Sequence, residues 1–220
     1  MIGKVIASIA AMTLIASSAR AQSATPGRVE VSAGLGWTTP TDYGSRDATE
    51  TKADASALTL FSASARLLSA AVAEGRVSVR ITKRLEAEAT GSYSTPHLQV
   101  KTTADYENAA SATITQSQQR YTVSGGALWP LAIGRRTIPF VTGGVGWVRE
   151  LQGNNTLVTV GRQWYVGGGV KRFFVQRDAH HLKGLGARVD ARLIERSKEV
   201  AVDDRAHATA TLTGSLFFRF

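Results

Sequence analysis

The sequence predicts an all-β fold: an eight-stranded antiparallel up-and-down β-barrel that crosses a membrane. Three observations predict it. Strand-length segments along the chain alternate apolar and polar residues with a period of two, the spacing that sends side chains to opposite sides of a strand. The second face of the later strands carries Gly, Ser and Thr where a soluble barrel would need Lys and Glu, which turns the apolar face toward lipid. Trp37, Tyr93, Trp129, Trp147 and Trp164 lie toward strand ends on the apolar face, as expected of rings that settle at the headgroup level.

Composition agrees. The 220 residues suit one barrel or sandwich, with 43% hydrophobic residues, 21 Gly and only 5 Pro. With no Cys, the chain has no disulfide framework, thiol metal site or lipid-bearing cysteine. The formal charge of +9 raises nucleic-acid binding as a class. The basic residues are scattered or paired (Lys83-Arg84, Arg135-Arg136, Lys171-Arg172), with no basic helix or aromatic platform, so no nucleic-acid partner is expected.

Residues 1–21 read as a secretory signal peptide. Lys4 precedes an apolar run from Val5 to Ala16, and Ala19 and Ala21 form a small-x-small cleavage site. The run is too short for a membrane-spanning helix, which needs roughly 20 residues. The expected mature domain is 22–220, and any crossing of a membrane must be made by strands.

The first strand is Arg28 to Thr38, with Val29, Val31, Ala33, Leu35 and Trp37 opposite Glu30, Ser32, Gly34 and Gly36. Thr39 to Ala57 reads as a long exposed loop. Leu58 to Glu74 is ambiguous between strand, loop and short helix. Gly75 to Thr82 sets Val77, Val79 and Ile81 against Arg76, Ser78 and Arg80. A tight turn at Lys83-Arg84 leads into Leu85 to Ser94, and Pro96 to Gln119 reads as a second long loop. Strands follow at Arg120–Leu131, Ile138–Glu150, Val160–Val175 and Leu185–Arg196, separated by turn signals such as QGNNT at 152–156. The eighth, Ala206 to Phe220, puts Leu212, Gly214, Leu216, Phe218 and Phe220 on one face, with Thr213 and Arg219 on the other.

The polar faces carry mid-strand charges of both signs: Glu30, Arg80, Glu86, Glu88, Lys171, Arg188, Asp190 and Arg192. Inside a narrow barrel they must pair, because an isolated buried charge costs several kcal/mol. Arg80 and Glu86, on one side of a tight hairpin, are the first pair expected. Inward glycines at 144, 146, 167 and 169 offer space for water, which leaves a narrow conductance open. Eight strands otherwise enclose a bore just wide enough for side chains to fill.

Signal peptide, alternating strands, short basic turns, long polar loops and a terminal Phe together resemble the small outer-membrane β-barrel family related to the OmpA membrane domain. The resemblance covers Arg28 to Phe220, and its most specific part is TLTGSLFFRF at 211–220. It implies location in the Gram-negative outer membrane, termini in the periplasm, and long loops at the cell surface. It also implies that Phe218 and Phe220 act as the signal read by the assembly machinery. No peptidoglycan-binding domain follows the barrel, so a cell-wall tether is not expected.

Catalytic signals are sparse. His180 and His181 point opposite ways on a strand, and neither H-E-x-x-H nor G-x-S-x-G occurs. Some small outer-membrane barrels modify lipid A with Ser, His and a carboxylate near the rim, where His97, His207 and Ser94 could lie. The deacylase-type His-x-Ser spacing is absent. The expectation is therefore a non-enzymatic barrel without cofactor or metal. Outer-membrane lipids and the assembly machinery are its partners, and its loops await a surface ligand that the sequence does not identify.

Overall fold

The computed structural model describes residues 28–51, 57–103, 110–132, 136–152, 157–176, 181–196 and 207–220. The signal peptide at 1–21 lies outside the described residues. The strands in chain order are β1 (Val29–Thr38), β2 (Thr41–Thr51), β3 (Ala57–Leu67), β4 (Ala70–Thr82), β5 (Leu85–Ser94), β6 (His97–Thr103), β7 (Ala112–Pro130), β8 (Thr137–Gln152), β9 (Leu157–Gln176), β10 (Gly184–Arg196) and β11 (His207–Arg219). Eight of them, β1, β4, β5, β7, β8, β9, β10 and β11, close into an antiparallel ring.

The ring closes where the first strand meets the last. Glu30 to Thr38 pair with Arg219 to Thr211. At the lower end the Phe220 amide donates to the Val29 carbonyl at 2.8 Å, so the ladder runs to the final residue. We call this end, which holds Val29, Phe220 and the 83–84 turn, the lower end.

Even-numbered residues of β1, β4, β5, β7, β8 and β10 point inward, while β9 and β11 present odd-numbered ones. The exterior is apolar: Leu35, Val77, Val123, Val145, Val166, Val189, Leu212 and Leu216 are all exposed, Leu35 at 71%. The interior is polar, with Arg188, Asp190 and Lys171 each at 1%. No helix of the described residues is long and apolar enough to cross a membrane. An outward apolar band on a closed ladder satisfies every backbone group within the ring, as crossing by strands requires. Trp37, Tyr93, Trp129, Trp147 and Trp164 all lie on this exterior.

The upper end departs from the loops expected at 39–57 and 96–119. There β2, β3, β6 and the first part of β7 form a second sheet that continues the barrel wall. The wall breaks at Thr39-Pro40, Leu68-Ser69 and Thr95-Pro96 and then resumes pairing. The Leu68 amide donates to the His97 carbonyl at 2.8 Å, and the Gln118 amide to the Pro96 carbonyl at 2.9 Å. The stretch 58–74, ambiguous in sequence, is two strands. Both faces of this extension are largely wet, which removes the apolar–polar contrast that marks a strand in sequence, whereas Thr-rich segments still favour extended backbone. Only a small cluster, Tyr43, Ala65 and Leu67 with Leu98 and Val100, is buried on its inner face.

The inward glycines are filled positions, which corrects the expectation of water-filled space at 144, 146, 167 and 169. A Cβ at Gly144 would lie 2.8 Å from the Tyr165 hydroxyl, at Gly146 2.6 Å from the Ser124 Cβ, at Gly167 2.9 Å from the Arg192 Cγ and at Gly169 2.7 Å from the Asp190 Cβ. These sites lack side chains because neighbouring strands send theirs across.

Gly126 has the same role: a Cβ there would overlap the Tyr165 hydroxyl and lie 3.1 Å from the Gly143 carbonyl carbon, whereas Gly91 opens on free space. Gly126→Ala is expected to lower stability by about 1–3 kcal/mol through overpacking. Gly91→Ala should stay within about 0.5 kcal/mol of the parent. Urea unfolding of both variants in detergent checks the contrast, and equal midpoints would refute it.

Candidate functional site

The interior is the most chemically concentrated part of the molecule, and it is layered. At the lower end Phe173 and Phe217 meet edge to face with centroids 4.9 Å apart, and the Arg219 guanidinium covers Phe173 at 4.4 Å. Phe217 is entirely buried. Just above, the Lys171 ammonium lies 2.7 Å from Glu30 Oε1 and 2.8 Å from Glu86 Oε2. Arg219 Nη2 reaches Glu30 Oε2 at 2.8 Å, and Arg80 Nη2 reaches Glu86 Oε1 at 3.4 Å.

The middle layer is a mesh of guanidinium and carboxylate groups. Arg188 pairs with Glu88 and, through Nε at 3.2 Å, with Asp190, while its guanidinium stacks 4.5 Å from the Phe140 ring. Arg76 donates to both oxygens of Asp190 at 2.7 and 3.3 Å and also contacts Glu74. Arg192 reaches Glu88 at 3.2 Å, Asp190 at 2.8 Å and Glu74 at 3.4 Å, and lies 5.0 Å above the Tyr165 ring. Five strands (β4, β5, β8, β9 and β10) supply these groups, so the layer ties opposite walls together.

The upper layer joins the barrel to its extension. Arg120 Nε donates to Glu150 Oε1 at 2.7 Å, and Arg120 Nη2 donates to the Tyr43 hydroxyl of β2 at 2.9 Å. Arg196 Nη1 donates to Thr209 Oγ1 at 2.9 Å. Tyr43 also packs against His207, with ring centroids 5.9 Å apart.

The eight charged residues singled out in sequence therefore all point into the bore. Glu86 sits closer to Lys171 than to Arg80, whose side chain is 32% exposed at the lower rim. Glu74, Arg76, Arg120, Glu150 and Arg196 belong to the same interior and were not singled out. Arg76, Arg120 and Arg196 share sequence parity with inward neighbours on their own strands, so the alternation held that signal; Glu74 lay in the ambiguous stretch. Phe140, Phe173 and Phe217 occupy positions on the polar face, where no polarity signal could mark them. Phe218 and Phe220 point outward, beside the seam.

The bore holds open space in at least two places among the described residues. One of about 270 Å³ opens near the lower rim between Arg80, Lys83, Glu86, Lys171 and Arg219. Another, about 40 Å³, lies above the middle layer between Arg192, Tyr165, Gln163 and Arg196. Ser94 is buried facing inward while His97 is exposed on β6, so the two do not converge. Among the described residues no three His, Asp or Glu side chains are placed to share a metal ion.

Ion pairs at this depth are costly to break singly, since loss of one partner strands a buried charge. Glu88→Gln, which leaves Arg76, Arg188 and Arg192 with only the carboxylates of Asp190 and Glu74 among them, is expected to cost about 3–5 kcal/mol. The exposed Arg66–Asp42 pair of the extension, broken by Asp42→Asn, should cost less than about 1 kcal/mol. Denaturant midpoints in detergent measure both, and a near-neutral Glu88→Gln would show that the mesh is not under this constraint.

No protein-family model matches the sequence, and no curated protein matches it. The fold does match solved structures. Neisserial surface protein A has a TM-score of 0.50 and 10% identity over 87% of this chain and 97% of its own. OprG, an outer-membrane protein of Pseudomonas aeruginosa, has a TM-score of 0.51 and 10% identity over 89% and 96%. The likeness is one of fold: the chain resembles small eight-stranded outer-membrane β-barrels. With its lipid-facing exterior, it is an integral, multi-pass barrel of the outer-membrane type.

Proposed function

We propose that this chain is a non-enzymatic barrel of the bacterial outer membrane with a closed interior, serving membrane integrity or contact at the cell surface. One observation carries the reading: successive layers of paired charge cross the bore from Lys171 through Arg188 and Arg192 to Arg120. A path for solutes would have to part several buried ion pairs at once. In this reading the lower end and both termini face the periplasm, and the sheet formed by β2, β3, β6 and upper β7 stands outside the cell.

The partners follow from the surfaces. The apolar band meets outer-membrane lipids. The terminal strand, ending on Phe218 and Phe220 at the seam, is the part that assembly machinery would engage. Nucleic acid is disfavoured, because much of the positive charge is turned inward and neutralised. Surface specificity would belong to the polar upper sheet and its connections, since loops on a rigid scaffold are where recognition resides. The separation of Ser94 from His97 argues against lipid-A chemistry at that pair.

A narrow channel is the second reading, favoured by the two spaces in the bore. Planar-bilayer recording of the refolded chain separates the readings. The closed barrel is expected to give no stable conductance steps, whereas steady current abolished by substitutions at Arg80 or Glu86 would establish the channel. Lipid-A mass spectrometry of cells with and without the protein should give identical spectra. Deleting Phe220 is expected to remove heat-modifiable, membrane-inserted protein, and undiminished insertion would refute the role of the terminal strand.

A further inference from the structure

We propose that the upper chamber of the barrel is a binding site for a small inorganic anion of halide size, seated against Arg196. Arg196 is 5% exposed, and its Nη1 donates to the neutral hydroxyl of Thr209. Among the described residues, the other inward cations each meet a carboxylate. Glu150 is engaged by Arg120, and Glu74 by Arg76 and Arg192, so the two acids nearest the chamber are already matched. Burial pushes the Tyr43 phenol above its ordinary value, so it stays neutral and supplies no negative charge. Arg120 and Arg196 thus face the single carboxylate of Glu150, which leaves one buried positive charge in excess; such a charge costs several kcal/mol, and an anion drawn from solution offsets that cost.

The chamber is built to receive one. Arg196 Nε has no hydrogen-bond partner, and neither do the hydroxyls of Thr90 and Thr211 or the amide oxygen of Gln163, all on its walls. Hydroxyls rotate to donate, and a carboxamide turned end for end presents its NH₂, so each of these groups can point hydrogen at an anion. Size sets the class. A volume of about 40 Å³ holds about three water molecules at roughly 10–15 Å³ each. It admits a halide and excludes phosphate esters, sugars and nucleotides.

The site does not depend on whether the barrel conducts, and its test is separate from bilayer recording. Crystals of the refolded chain grown in bromide, measured at the bromine absorption edge, should show an anomalous peak in the chamber on the order of 3.5 Å from the Arg196 guanidinium, the reach of a hydrogen bond. In detergent, bromide should raise the melting temperature by a few degrees over methanesulfonate at equal ionic strength, because a ligand that binds only the folded state stabilises it. That rise should vanish in Arg196→Gln. A chamber holding water alone, a bromide peak away from Arg196, or a halide-dependent rise that persists in Arg196→Gln would each overturn the proposal. If Arg196→Gln fails to fold, the bromide position in the unaltered chain still decides it.

Discussion

Hydrocarbon cannot hydrogen-bond, and that constraint shapes the whole molecule. A backbone N–H or C=O left open inside a bilayer costs several kcal/mol, so strands that cross it must pair on both edges. Here that requirement is met at the seam between Val29–Thr38 and the terminal strand, where the ladder runs from Thr38–Thr211 down to the reciprocal contact of Val29 and Phe220. Removing the last strand would open two edges at once, on β1 and on β10. The chain can be stable in lipid only when its final residues are in place.

Closure has a second consequence. Every strand must turn one face inward, and eight strands leave a bore only as wide as the side chains that fill it. The chain fills it with charge and aromatic rings rather than with aliphatic side chains. The rings of Phe140, Phe173, Phe217 and Tyr165 lie beneath or beside guanidinium or ammonium groups, so apolar volume and cation attraction occupy the same space. Glycines at 126, 144 and 186 make that packing feasible, since a side chain there would collide with Tyr165 or Phe217. Some long inward groups are opposed by glycine on the neighbouring strand, as Tyr165 is by Gly144 and Arg192 by Gly167.

Above the ring the structure changes character. Water can satisfy backbone groups there, so β2 carries its outer edge without a partner strand among the described residues. The extension is tied down by a few contacts: Tyr43 to Arg120, Thr41 to Thr209, and the small cluster around Leu67. Polar anchors of this kind hold a sheet over the mouth without a large core.

Alternation by itself determined the number of ring strands and which residues share a face. Val141, Val145 and Trp147 on one side of β8 and Lys171 opposite Val170 on β9 are legible because lipid and bore make opposite demands on adjacent residues. Where both faces meet water, as in 41–51 and 97–103, those demands coincide and strands read as loops. Pairing across the bore was decided only by the tertiary structure, because partners such as Arg76 and Asp190 sit 114 residues apart and are joined by ring closure and strand tilt. The sequence alone put charge on the inward face; the register around the ring chose which charges meet, and set Arg196 against the Thr209 hydroxyl.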